Sequence, residues 1–244
     1  MTTIESQDVT IEKLFNDFYV IPSYQREYVW GEEEVREFVE DIYNEFFANK
    51  FDSVYEYFIG TIIVCARPDG LYEVIDGQQR MTTAYLMLCA MRDRILSINP
   101  SERIEALKSQ IASLYTDENG NDKFRHRVEV QYEESRGVLE RIAMRENIEN
   151  IPNTRSVENI KNAYHQIFKF IGKELGVDKV SIPQIKKFYA YLLKNVTLIR
   201  VKTASVTHAM RIYATLNHRG LRLDEIDLMK NLMFAKVKQS EYDR

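Results

Sequence analysis

The octapeptide Asp76-Gly77-Gln78-Gln79-Arg80-Met81-Thr82-Thr83 carries more polar chemistry than the join between a strand and a helix requires. A strand ends here, Gly77 allows a tight turn, and the following helix begins with unpaired N–H groups and the positive end of its dipole. With Arg80, and with Gln78, Gln79, Thr82 and Thr83 as hydrogen-bonding groups, such a start becomes an anion pocket suited to phosphate. The competing account is a plain capped helix, with Asp76 as N-cap and the glutamines solvated. It leaves an arginine and two threonines without a purpose.

Two other stretches concentrate polar and aromatic groups. IPSYQREYVW (Ile21–Trp30) holds the only tryptophan, two tyrosines, Gln25 and Arg26. Aromatic faces beside an arginine suit base stacking and a phosphate contact. Packing against the following helix accounts for Tyr28 and Trp30 but leaves Tyr24, Gln25 and Arg26 to act. In IYATLNHRGLRLDEIDLMKNLMF (Ile212–Phe234) a helix closes at Gly220 and Asp224 caps the next, with Asp227 in its first turn. That leaves Asn217, Arg219 and Lys230 to close over a second phosphate or a base.

Other chemistries find little support. His126, His165, His208 and His218 stand far apart with no metal-ligand spacing, and the chain has neither a P-loop nor a G-x-S-x-G elbow. Cys65 and Cys89 are expected to be small core residues.

The elements that must position these groups follow from periodicity. Asp17 to Gln25 is strand-like until Pro22 ends regular pairing, and Val35, Phe38, Val39, Ile42, Tyr43, Phe46 and Phe47 predict an amphipathic helix. Tyr55–Ala66 and Leu71–Ile75 flank Pro68-Asp69-Gly70 and predict a hairpin, with the next helix starting at once. Beyond Pro100 the pattern is helical: Ser101 is expected to cap a run through Ile104, Leu107, Ile111 and Leu114, and Ser156 another through Ile171. Thr116–Arg127 reads as a polar loop with basic residues. VTLIRVK (196–202) is one clear strand, expected to return to the N-terminal sheet. A last helix through Ile226, Met229, Met233 and Val237 has no cap before Arg244, as in the N-terminal piece of a longer protein.

The 244 residues, with 45% hydrophobic and 29% charged, describe an ordinary globular protein of one large or two small domains. No apolar run reaches membrane-span length and the N-terminus lacks a signal peptide's pattern, so a cytoplasmic protein without a membrane partner is expected. A net charge of −4 and a pI of about 5.7 argue against a surface that coats nucleic acid non-specifically, leaving room only for a local basic groove.

Taken in order and spacing, IPSYQREYVW, FIGTIIV followed by VIDGQQRMTT, and YATLNHRGLRLDEIDLMKN resemble the N-terminal domain of GmrSD-type, modification-dependent restriction endonucleases, the domain of unknown function 262 family. The likeness runs from about Val9 to Phe234. It implies an α+β fold: a small ParB/sulfiredoxin-like mixed sheet with helices (residues 1–98), then a mainly helical extension (99–244) whose returning strand packs on the core. It also implies binding, and in several members hydrolysis, of nucleoside triphosphates coupled to cleavage of modified phage DNA. The family's DGQQR falls on Asp76, Gly77, Gln78, Gln79 and Arg80, its Pro-x-Tyr-Gln-Arg on Pro22, Tyr24, Gln25 and Arg26, and its Asn-x-Arg-Gly on Asn217, Arg219 and Gly220. Many relatives carry a C-terminal His-Asn-His nuclease domain. These residues hold neither the length nor the clustered histidines for one, so DNA cutting is expected from a further domain or a partner nuclease chain.

The resulting expectation is a nucleotide-binding, NTP-hydrolysing regulatory domain of a DNA restriction system. Arg80 and the Gly77–Gln79 backbone would hold phosphates, with Thr82 and Thr83 nearby, and Asp76 would hold Mg²⁺ or orient water. Gln25, Arg26, Asn217, Arg219 and Lys230 would complete the pocket, and homo-oligomers fit the same picture. Replacing Arg80 by alanine is expected to abolish binding with the thermal melt nearly unchanged. The alternative is a non-catalytic DNA-binding module in which Tyr24, Gln25 and Arg26 sense a modified nucleotide. A third account makes the motifs turn-stabilising only.

Overall fold

The computed structural model describes residues 4–48, 56–116, 119–131, 137–152 and 154–217, the last four by backbone alone. Along the chain, β1 (Glu5–Thr10) leads into the single turn α1 (Ile11–Leu14), β2 (Tyr19–Ile21), α2 (Glu32–Ala48), β3 (Tyr57–Ala66) and β4 (Tyr72–Asp76). There follow α3 (Gln78–Ile98), α4 (Glu105–Ile111), β5 (Ala112–Thr116), β6 (Asp122–His126), β7 (Val128–Val130) and α5 (Val138–Met144). The described chain closes with α6 (Arg155–Leu175), α7 (Ile182–Asn195), β8 (Val196–Thr203) and α8 (Val206–Asn217).

The fold is α+β. Its main sheet runs β1-β8-β3-β4-β2-β7, and β5 and β6 form a separate two-stranded sheet. β3 and β4 are the expected antiparallel hairpin, turned by Gly70 at φ +78° with Arg67 N–H bonded to Leu71 O at 2.9 Å. β8 lies between β1 and β3, antiparallel to the first and parallel to the second. β2, β4 and β7 run parallel, so their C-terminal ends meet at one edge of the sheet.

The β-branched strands bury both faces. On one, Ile62, Val64, Val74 and Leu198 join a core built on α3, which is apolar almost all round and buried between the sheet and α6 and α7. On the other, Ile63, Cys65, Ile75 and Val201 pack against Ala209 and Met210 of α8. Both cysteines are buried and free. Among the described residues no helix is long and apolar enough to cross a membrane.

Three local expectations are corrected. Ser101 caps nothing: α4 begins after Ile104 without a side-chain cap and ends at Ile111, and Leu114 is in β5. The 116–127 stretch is not loop throughout: Asp122–His126 is a strand that pairs with Ala112–Thr116, and Val128–Val130 adds an edge strand. α6 is capped by Thr154, whose Oγ1 accepts from Val157 N–H at 3.3 Å, while Ser156 is already inside the helix, its buried hydroxyl without a partner among the described residues. Tyr55 and the last expected helix lie outside the described residues.

Candidate functional site

β4 delivers Asp76 to the sheet edge where β2, β4 and β7 end, and Gly77 turns the chain directly into α3. Gly77, not Asp76, is the N-cap: it sits at φ +87°, and a Cβ there would lie 2.5 Å from Ile62 Cγ2. Only glycine meets both conditions without strain. No side chain caps the helix, so its first turn faces this edge without an internal acceptor from a cap.

The polar groups of the octapeptide divide their work. Gln79 is buried; its Oε1 accepts from Val29 N–H at 3.0 Å and Trp30 N–H at 3.3 Å, and its Nε2 donates to Glu27 O at 3.0 Å. Gln78 Nε2 donates to Arg26 O, and Tyr28 OH pairs with Thr83 Oγ1 at 2.8 Å. Thr83 also donates to Gln79 O at 2.8 Å, one helical turn back. Together these bonds clamp the 26–30 loop onto the start of α3, and Asn159 of α6 adds a bond to Tyr28 O at 3.3 Å. Thr82 is buried beside Ile21, Tyr28 and Val130.

Arg80 reaches back to the neighbouring strand. Its Nη1 donates to Ile59 O at 3.0 Å and its Nη2 to Thr61 O at 2.9 Å, across a shift in the β3–β8 register. The intervening Gly60 has φ +107°, and a Cβ on it would stand 1.9 Å from Arg80 Nη1. Arg80 therefore carries backbone as well as charge, so its replacement by alanine cannot leave the melt untouched, contrary to the sequence expectation.

Burial raises the Asp76 carboxyl above the usual carboxylate range, while the Arg80 guanidinium, the Gly77 N–H and the Arg26 guanidinium pull it back down. Two cations thus act on the Asp76 carboxyl, one braced against β3 and one on the exposed loop. In that loop Gln25 Nε2 is buried with no partner among the described residues. Tyr24 packs on the α8 side of the sheet and gives its hydroxyl to Glu73, which with burial raises its pKa far above the ordinary tyrosine value. Asn217 closes α8 with only its backbone described, and Arg219 and Lys230 lie outside the described residues.

Sequence reasoning did not single out Gly60, Ile59 O or Thr61 O; the signal was a glycine inside an otherwise β-branched strand. Nor did it single out the buried carboxylate of Asp93, which pairs with Arg92 at 2.9 Å and Arg145 at 3.0 Å and accepts from Tyr164 OH at 2.7 Å. That network backs a separate cleft of about 470 Å³ between α3, α6 and the segment after α5. No group of three or more His, Cys, Asp or Glu suited to a metal ion occurs among the described residues.

Comparison with known proteins agrees with the likeness noted in the sequence. No curated protein matches the chain. A family model described as the GmrSD restriction endonuclease N-terminal domain matches residues 11–234, which takes in every strand of the main sheet but β1, the clamped loop and the Asp76–Thr83 turn. The chain belongs to the family of GmrSD restriction endonuclease N-terminal domains, and its role lies in a restriction system.

Proposed function

We propose that the domain binds a nucleoside triphosphate at the Asp76–Arg80 turn and hydrolyses it to regulate DNA restriction. The observation that carries this is the placement of Asp76 at the sheet edge where three parallel strands end, beside the uncapped N-terminus of α3, with its carboxyl in the field of the Arg80 and Arg26 charges. Ligands of α/β sheets sit at the carboxyl ends of strands, and a helix N-terminus favours phosphate. Arg26, exposed on the clamped loop, would contact the phosphates, and the orphaned Gln25 amide offers a further donor. Arg80 would supply positive charge from its fixed seat on β3. Asn217, Arg219 and Lys230 would close over the ligand.

One carboxylate suits a magnesium ion that arrives with the nucleotide, since Mg²⁺ keeps several waters and is held by one or two carboxylates plus phosphates. It would supply charge neutralisation of the phosphates. DNA cutting in this reading comes from a C-terminal nuclease domain or a partner nuclease chain, in the cytoplasm, and assembly into homo-oligomers fits it. The second reading, a DNA-sensing module without catalysis, draws on the exposure of Arg26.

The test is phosphate release from ATP, GTP, CTP and UTP with Mg²⁺, with and without DNA, beside NTP-binding calorimetry. It compares the chain with its Asp76→Asn and Arg26→Ala variants. Turnover lost in Asp76→Asn, with binding weakened in Arg26→Ala and both proteins folded, supports the proposal. Wild-type protein that neither binds nor hydrolyses any of the four overturns it.

A further inference from the structure

The cleft in front of Asp93 holds a positive charge that the Asp93 network does not need. Arg92 already matches this carboxylate, its Nε donating to Oδ1 and its Nη2 to Oδ2, both at 2.9 Å, and Tyr164 OH donates to Oδ2 at 2.7 Å. Arg92 Nη2 also donates to Ile142 O at 2.7 Å, which ties the end of α5 to α3. Arg145 then brings a second guanidinium, its Nε 3.0 Å from Asp93 Oδ1. One buried carboxylate thus faces two arginines. The Arg145 side chain is half exposed, and its Nη groups have no partner among the described residues.

The backbone of Arg145 sets it apart as well. It is the C-cap of α5 at φ +60°, and among the described residues no other non-glycine residue has a positive φ. A left-handed helix end normally falls to glycine or asparagine. Side chains kept in such conformations gather at ligand clamps, and this one is kept with its guanidinium at the cleft.

The walls complete the site. Tyr164 and Phe168, one turn apart on α6, set their rings 6.3 Å apart and 31° from parallel. Arg94 stacks on Phe168 at 3.7 Å, in room left by Gly172, where a Cβ would stand 2.7 Å from Arg94 Nη2. With Ile142 and Ile148 these rings make a largely apolar cleft, whose volume of about 470 Å³ suits a small molecule. An arginine fork matches the two oxygens of a carboxylate or of a phosphate. Glu146 and Glu149 decide between them. Both are exposed and line the same cleft, so a phosphate monoester, with nearly two negative charges, meets more repulsion than a carboxylate with one.

We propose that this cleft binds a small aromatic carboxylate, with the carboxylate on the Nη groups of Arg145 and the ring against Tyr164 and Phe168. Asp93 lies about 20 Å along α3 from the Asp76–Arg80 turn, given the rise of a helix. The inference does not rest on the nucleotide reading, so either can fail alone.

The test is ligand-observed NMR on the whole chain with three probes: phenylacetate, phenyl phosphate and the uncharged phenylethanol. Wild type should hold phenylacetate about tenfold more tightly than either of the others, the worth of a charged hydrogen-bonded contact. Arg145→Gly keeps the left-handed cap and leaves Asp93 its bonds to Arg92 and Tyr164. It should weaken phenylacetate about tenfold and leave phenylethanol unchanged. Ser97→Trp, at an exposed position of α3 that lines the cleft, should block all three probes with circular dichroism and melt as in wild type. A wild-type chain that takes up no phenylacetate at millimolar concentration, or that prefers the phosphate or the alcohol, overturns the proposal. So does either variant binding phenylacetate like wild type.

Discussion

Gln79 offers the sharpest check on how the candidate site is held. It spends its acceptor on two backbone N–H groups and its donor on one backbone carbonyl, all in the 27–30 loop. The amide orientation is fixed by that pattern, since a flipped group would set donor against donor. Gln79→Met keeps volume and helix propensity and removes only the hydrogen bonds. At about 1 kcal/mol for each bond, with the 3.3 Å one weaker, the loss is about 2.5 kcal/mol. For a domain of this size that is a fall in Tm of roughly 5–10 °C. The sole tryptophan, Trp30, packs on Phe38 at 5.4 Å and sits in the clamped loop, so its fluorescence should shift to the red. Amide exchange at Val29 and Trp30 should quicken before that of α3. A Tm within about 1 °C of wild type, with Val29 and Trp30 exchanging at the wild-type rate, would show that the loop is not held by this side chain.

Three further outcomes follow from the same geometry. Asp76→Asn should stabilise the fold at neutral pH, because the buried carboxyl has a raised pKa: its protonated form is favoured in the folded state, and ionisation costs stability as pH rises through that value. Melts of wild type and variant should therefore converge near pH 4 and separate toward pH 7; a gap that widens on acidification contradicts the assignment. Gly60→Ala should destabilise far more in the wild type than in an Arg80→Ala background, where the guanidinium in its way is gone. Arg80→Ala alone should cost about 2 kcal/mol for two half-buried charge-assisted bonds, and energies additive within about 0.5 kcal/mol would refute the contact. Asp93→Ala leaves Arg92 buried without its carboxylate and should cost about 3–5 kcal/mol by urea denaturation, with Asp93→Asn milder.

The sequence shows some of this plainly. Pro68-Asp69-Gly70 between β-branched runs yields the β3–β4 hairpin, and VTLIRVK yields β8, because turn chemistry and period-2 patterning are local signals. β5, β6 and β7 escape because their strands are only three to five residues long, and nothing local distinguishes the polar Asp122–His126 from a loop. The octapeptide is a harder case. Glutamines at a helix start look solvated or ligand-facing within any window of sequence, and their partners in the 26–30 loop lie about fifty residues away. Arg80 is similar: a guanidinium aimed at phosphate and one aimed at the carbonyls of Ile59 and Thr61 have the same neighbours in the chain.

The position of β8 bears on how the molecule is made. It fills the slot between β1 and β3, although it follows both helices of the α6–α7 pair in the chain. During synthesis β1 and β3 emerge long before the strand that joins them, so each has an open edge until Thr203 has left the ribosome. Non-local pairing of this kind is slow, and open edges recruit other chains. Nascent chains stalled before Val196 should be aggregation-prone and depend on chaperones, whereas those released beyond Thr203 should not.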